Sequence, residues 1–251
     1  MPKEKKKAHL QKGTGASPPA VYNRCAYTSP ADGWQCMEPV WPGSHHNCCI
    51  GHAQEFDKPA PLFSALIQKK VKKNDFTFDG FVFPFRIRIK NLTIQNPFSF
   101  IGCTFLDGLK MDNVRFEGPF TSFSHCVFIG SSIYFTRCHF ASQKLSFAHS
   151  LFEGDILAFD RCHFVGENTD WSSMKWEGEK AIAFLRCTFG GKTHRFTSSQ
   201  FIAPLFAIKG GTLSSQSVDF HKTYFKNANC SLRGLRQTKG ELSFDAAQFD
   251  C

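Results

Sequence analysis

Tyrosine, tryptophan and methionine are each scarce, four of each among 251 residues, and no stretch approaches the ~18 apolar residues of a helical membrane span. The first shortage argues against a varied globular core, and the second predicts no membrane span. Residues 1–19 are rich in Lys and then in Gly, Ser and Pro, with no apolar stretch to serve as a secretory signal. Without an export signal, the odd count of eleven cysteines points away from a disulfide framework. It points toward reduced thiols, some of them metal ligands and others buried as small residues. The expectation is a soluble, cytoplasmic chain, or a nuclear one if the source is eukaryotic and the Lys-rich tail is a localisation signal.

Phenylalanine, by contrast, occurs 29 times, which suggests one aromatic type reused at equivalent positions of a repeat. From Phe76 onward a six-residue phrase returns, with two large apolar residues five apart and a small residue two places before the second. Clear copies are FIGCTF from Phe100, FSHCVF from Phe123, FTRCHF from Phe135, FAHSLF from Phe147, FDRCHF from Phe159, FLRCTF from Phe184, FTSSQF from Phe196, FHKTYF from Phe220 and FDAAQF from Phe244. MDNVRF from Met111, WSSMKW from Trp171 and IKGGTL from Ile208 fill a twelve-residue lattice, and only the segments near Phe85 and Leu232 are degraded. Alternate copies match best, because Arg-Cys recurs at 137/138, 161/162 and 186/187. The true period is therefore about 24, and the period-two stretches Leu145, Phe147 and Leu157, Phe159 favour short strands over helices. Roughly seven coils stacked at ~4.8 Å predict a rod about 35 Å long. Cys103, Cys126, Cys138, Ser150, Cys162, Cys187 and Ser199 hold the small position, which reads as part of a core ladder rather than a metal array.

The phrase resembles the pentapeptide-repeat proteins, right-handed β-helices that stack a Phe or Leu and a small residue two positions earlier on every face. The resemblance covers about 175 residues and departs from the family's advance in fives. It implies a right-handed parallel β-solenoid, an all-β fold, with a binding or shielding role. The DNA mimicry of some members requires an acidic surface that this repeat region, with nineteen basic against fifteen acidic residues after position 75, does not have.

Ahead of the repeats, CAYTSPADGWQCMEPVWPGSHHNCCIGH places Cys25, Cys36, Cys49 and His52 in the order expected of a tetrahedral structural zinc site. Cys48 rivals Cys49, and His45 and His46 are further candidates. So short a segment buries too little surface to fold without a metal. With Gly33, Trp34, Gln35 and Cys36 before the closing Cys-x-x-His, it resembles the Cys3His zinc modules of plant growth-regulating factors and chromatin-complex subunits. That resemblance implies DNA contact as an alternative role. Eleven basic against six acidic residues up to position 75 give this end the charge to attract nucleic acid or another acidic partner.

The chain thus divides into a disordered basic tail (1–20), a zinc-binding module (21–56), a linker and capping helix (57–75) and a β-solenoid (76–251). The helix follows from Leu62, Phe63, Leu66, Ile67 and Val71 at three- and four-residue spacing, with Lys69, Lys70, Lys72 and Lys73 at its negative pole. A cover for the open first rung is its expected role; a basic membrane-surface helix is the alternative reading. Arg137, Arg161 and Arg186 form a column that offers an anion or an acidic partner a face, and His125/His149 and His139/His163 form shorter columns. Glu153, Asp155 and Asp160 are the densest acids of the solenoid, in routine repeat positions. No P-loop, GxSxG or HExxH pattern occurs, and no long insertions wall a groove. The sequence therefore predicts a non-enzymatic scaffold for a protein partner, with nucleic-acid binding and then a β-helix carbohydrate-active enzyme as alternatives. Exposed end rungs predict end-to-end pairing of two copies.

Overall fold

A computed structural model of the chain describes residues 24–30, 32–130, 132–226 and 229–250. The expected basic tail, residues 1–20, lies outside the described residues. One helix, α1 (Ala60–Lys72), precedes a parallel β-solenoid of about seven turns.

The first coil is built from β1 (Phe76–Thr77), β2 (Val82–Phe83) and β3 (Ile87–Ile94). The second repeats it with β4 (Phe98–Ser99), β5 (Thr104–Phe105) and β6 (Leu109–Phe116). β1 pairs with β4, β2 with β5 and β3 with β6, all parallel. Later coils continue these ladders at a 24-residue offset, as in Phe128↔Phe152, Phe135↔Phe159 and Phe140↔Phe164. The first offset is 22 residues, at Phe83↔Phe105, and the second is 23 in the same ladder, at Phe105↔Phe128. One coil inserts a residue near Glu179 and Lys180, seen as a register shift between Gly154↔Gly178 and Ile156↔Ala181.

The core is aromatic because several register columns repeat a Phe, or a Trp in its place, on successive coils. Phe123, Phe147, Trp171, Phe196, Phe220 and Phe244 stack face to face at 4.4–5.4 Å. A second column runs through Phe83, Phe105, Phe128 and Phe152, stacked at 4.4–4.8 Å. Neighbouring columns meet edge to face, as between Phe135 and Phe147 at 90°. The ring quadrupole favours the edge-to-face contacts, and the parallel stacking follows from the ~4.8 Å spacing of successive coils.

The six-residue phrase is a turn followed by a strand. The Cys103 N–H donates to the Phe100 carbonyl at 3.1 Å, and Thr223 to Phe220 and Ala247 to Phe244 at 3.0 Å. The third residue of each turn has positive φ: Gly102 at 66°, His125 at 56°, Arg137 at 52°, Arg161 at 53° and Arg186 at 55°. That is the geometry a type II turn requires at its third position.

The small residue that follows is a hydrogen-bond donor to the coil before it. Cys103 donates to the Phe78 carbonyl at 3.0 Å, Cys126 to Phe100 at 2.8 Å, Ser150 to Phe123 at 2.6 Å, Ser199 to Trp171 at 2.7 Å and Thr223 to Phe196 at 2.8 Å. Cys and Ser therefore alternate here because each carries a short donor as well as little bulk. The Cys thiols of these columns are free and buried.

Helix α1 lies across the first coil with Phe63 and Leu66 in the solenoid's core cluster. Phe63 meets Phe83 edge to face at 5.6 Å. Lys70 pairs with Asp75 at 2.5 Å and Lys69 with Glu38 at 2.8 Å, which ties the helix to the segments on both sides of it. Among the described residues no helix is long and apolar enough to cross a membrane.

Candidate metal centre

Two local structures bring the four donors together. Cys25 and Cys36 lie on facing arms of a loop held by Cys25 N–H to Glu38 O and Cys36 N–H to Tyr27 O, both 3.0 Å, with bridges at Arg24↔Pro39 and Thr28↔Gln35. Cys49 and His52 lie on one helical turn, closed by His52 and Ala53 N–H donation to the Cys49 carbonyl at 3.0 and 2.9 Å. Residues three apart on such a turn share a side.

The ligand atoms of Cys25, Cys36, Cys49 and His52 all lie within 4.8 Å of one another, and all four residues are buried. His52 Nδ1 is 3.4 Å from Cys25 Sγ and 3.2 Å from Cys49 Sγ, and Cys36 Sγ is 4.0 Å from Cys49 Sγ. Tetrahedral bonds of ~2.3 Å to sulfur and ~2.0 Å to nitrogen imply edges of about 3.5–3.8 Å, which these separations bracket. The group can hold a metal ion.

The outer shell fixes the imidazole. His52 Nε2–H donates to the Asp79 carbonyl at 2.9 Å, which leaves Nδ1 with its lone pair toward the thiols, the usual support of a metal-binding histidine. The ring stacks on Tyr27 at 3.9 Å and 7°, and meets Phe81 edge to face at 4.8 Å. Burial, and then the nearby Asp79 carboxylate, push the Tyr27 hydroxyl up to about 12. The three thiols titrate against one another. Hydrogen bonds from Cys36 and then Cys49 hold Cys25 far below the ordinary thiol range. Bonding to that Cys25 thiolate pushes Cys36 up to about 11 and Cys49 well above its usual value. All three ionise together only around a cation.

The donor group is joined to the solenoid. Val82 N–H of β2 donates to Gly51 O at 2.9 Å, and Lys58 Nζ donates to the Val82 carbonyl at 2.7 Å and the Gly51 carbonyl at 3.3 Å. Lys58 is buried, and desolvation lowers its ammonium to about 8. Gly80, with φ of 72°, sits where a Cβ would collide with the Tyr27 ring edge and hydroxyl. Asp79, Gly80 and Lys58 carry no motif that marks them for the site, because each reaches it through backbone carbonyls or close contact.

The rival donors stand outside the group. Cys48 turns its thiol to the His46 carbonyl at 3.6 Å, and His45 is exposed, 3.7 Å from Glu55. Arg137, Arg161 and Arg186 project from successive turns, engaged by acids on their own face. Arg137 reaches Asp112 at 2.6 Å, and Asp160 takes Arg186 at 2.6 Å and Arg161 at 3.1 Å. His125 and His149 stack at 4.8 Å, and His139 and His163 tilt at 5.9 Å. Asp155 pairs with Lys180 at 2.7 Å.

No family model matches this chain, and no match was found among curated proteins or solved structures. A β-solenoid fitted at its first coil with a buried Cys3His group is the class that fold and site define.

Proposed function

We propose that this chain is a non-enzymatic scaffold that presents β-solenoid faces to a protein partner, with a structural zinc ion on Cys25, Cys36, Cys49 and His52. The observation that carries this reading is the closure of the donor group: four soft or borderline donors, each at most 2% exposed, leave no side for a substrate or a metal-bound water. Three thiolates and one imidazole are a zinc set, and a set of four protein ligands is structural rather than catalytic. The phrase's resemblance to pentapeptide-repeat proteins supports the same role and a right-handed coil.

The carbohydrate-active alternative draws less support, because Asp155 and Asp160 are each engaged by cations and Glu177, which shares an open cleft with Glu153 and Glu179, pairs with Lys175 at 2.7 Å. Nucleic-acid binding draws less support, because Lys69, Lys70, Arg137, Arg161 and Arg186 are ion-paired. Titration with labelled duplex DNA and single-stranded RNA at low salt tests the choice. The scaffold reading expects only the weak, sequence-independent affinity of ~10⁻⁴ to 10⁻⁶ M, and nanomolar binding with a steep salt slope would overturn it.

A further inference from the structure

We propose that β3 is an edge-strand docking site for an extended peptide in which apolar and acidic residues alternate. The inference rests on the scaffold reading and names the partner's chemistry.

The first coil is sealed unevenly. At β2 the outer backbone groups are taken, since the Val82 N–H reaches Gly51 and its carbonyl receives Lys58. β3, eight residues long, pairs with β6 and with no other described strand. α1 covers the β2 side through Phe63 and Leu66, and a cleft lies between it and β3. Ile87, Ile89 and Leu92 are consequently half-buried, while Leu109, Met111 and Val114, their partners one coil on, are 0% exposed. Between α1 and β3 lies an open cleft of about 510 Å³, lined by Ile67, Val71, Phe85, Ile87, Ile89 and Leu92 among others. That falls within the ~300–1,000 Å³ of ordinary binding pockets.

The charges select the occupant. Arg88 and Lys90 alternate with Ile87 and Ile89, are exposed, and make no ion pair among the described residues. A strand added ~4.8 Å from β3 sets every second side chain beside Arg88 and Lys90 and the others over Ile87 and Ile89. Acids therefore suit the first set, and apolar residues that enter the cleft suit the second. Asn91, with φ of 53°, breaks the extended run, so pairing is confined to residues 87–90. Main-chain bonds supply affinity and the alternate side chains supply selectivity, as in other strand additions.

The test uses the full chain and a fluorescein-labelled peptide of alternating Glu and Val. The expected result is saturable binding with slowed amide exchange at residues 87–90. Affinity falls at least tenfold when alternate peptide amides are N-methylated, when Lys replaces Glu, or in the R88E/K90E variant, whose exposed positions leave the fold intact by circular dichroism. No binding, binding indifferent to N-methylation, or uptake of a fatty-acid anion in place of the peptide would each overturn the inference. None of these results touches the DNA and RNA titration that tests the scaffold reading.

Discussion

Replacing Phe147 with Ala removes a ring from within the aromatic column that runs from Phe123 to Phe244. Phe147 is 0% exposed, lies parallel to Phe123 at 4.7 Å and to Trp171 at 4.4 Å, and meets Phe135 and Phe159 edge to face. A large-to-small change at such a site costs about 3–5 kcal/mol, the upper part of the range applying where neighbours cannot collapse into the void. Collapse is hindered here because the facing rings are held by backbone ladders at fixed spacing. Lost ring pairs, worth about 0.5–1.5 kcal/mol each beyond area, push in the same direction. Phe249 supplies the internal control. It is 51% exposed, and its ring pairs with Phe225 at 4.8 Å and Phe244 at 6.0 Å, so Phe249→Ala costs about 1–2 kcal/mol. Urea unfolding followed by far-ultraviolet circular dichroism gives both values. Equal losses for the two variants would refute the stacked-column account of stability.

His194 and the turn glycines yield two further predictions. His194 is fully buried in a column between Thr169 and Val218, and desolvation, only partly offset by its bond to the Gly190 carbonyl, lowers its pKa to about 4. A folded value below the unfolded one means that the unfolded chain binds the proton first, so stability falls as pH drops from about 6.5 toward 4. Between pH 7 and 5.5 this group costs about 1 kcal/mol, and denaturation at both pH values should show that increment missing in His194→Val; a variant with unchanged pH dependence would contradict it. At Gly102, φ is 66° and an added Cβ meets nothing within 4 Å, so any loss is conformational. Gly102→Val should cost about 1–2 kcal/mol, whereas Gly102→Asn should be nearly neutral in the same assay, since Asn91 and Asn113 hold equivalent turns at 53° and 55°.

The repeat was legible because a stacked coil writes its cross-section into every copy: Phe columns, a small residue at fixed offset and a 24-residue period all reach the structure. The Cys3His spacing was legible for a related reason, since a Cys-x-x-His step and two facing loop arms place donors by local geometry alone. The role of the column at Arg137, Arg161 and Arg186 was harder to see. It is a left-handed turn position, and the signal lay in its other occupants, Asn113 and Gly210, which favour positive φ. The small residues' donor role was hidden because Cys, Ser and Thr share both size and a hydrogen to give. The join between head and solenoid, through Asp79 O, Gly51 O and Lys58, was illegible because carbonyl groups carry no residue identity. The uneven cover of the first coil follows from where α1 crosses, which its own periodicity does not specify.

The most direct test of a head closed around a structural metal is elemental analysis of the full chain combined with X-ray absorption at the metal edge. The account predicts one zinc per chain, with three sulfurs at about 2.3 Å and one nitrogen at about 2.0 Å. A chain that holds no metal, or a shell that contains oxygen from water in place of one of the four donors, would contradict it.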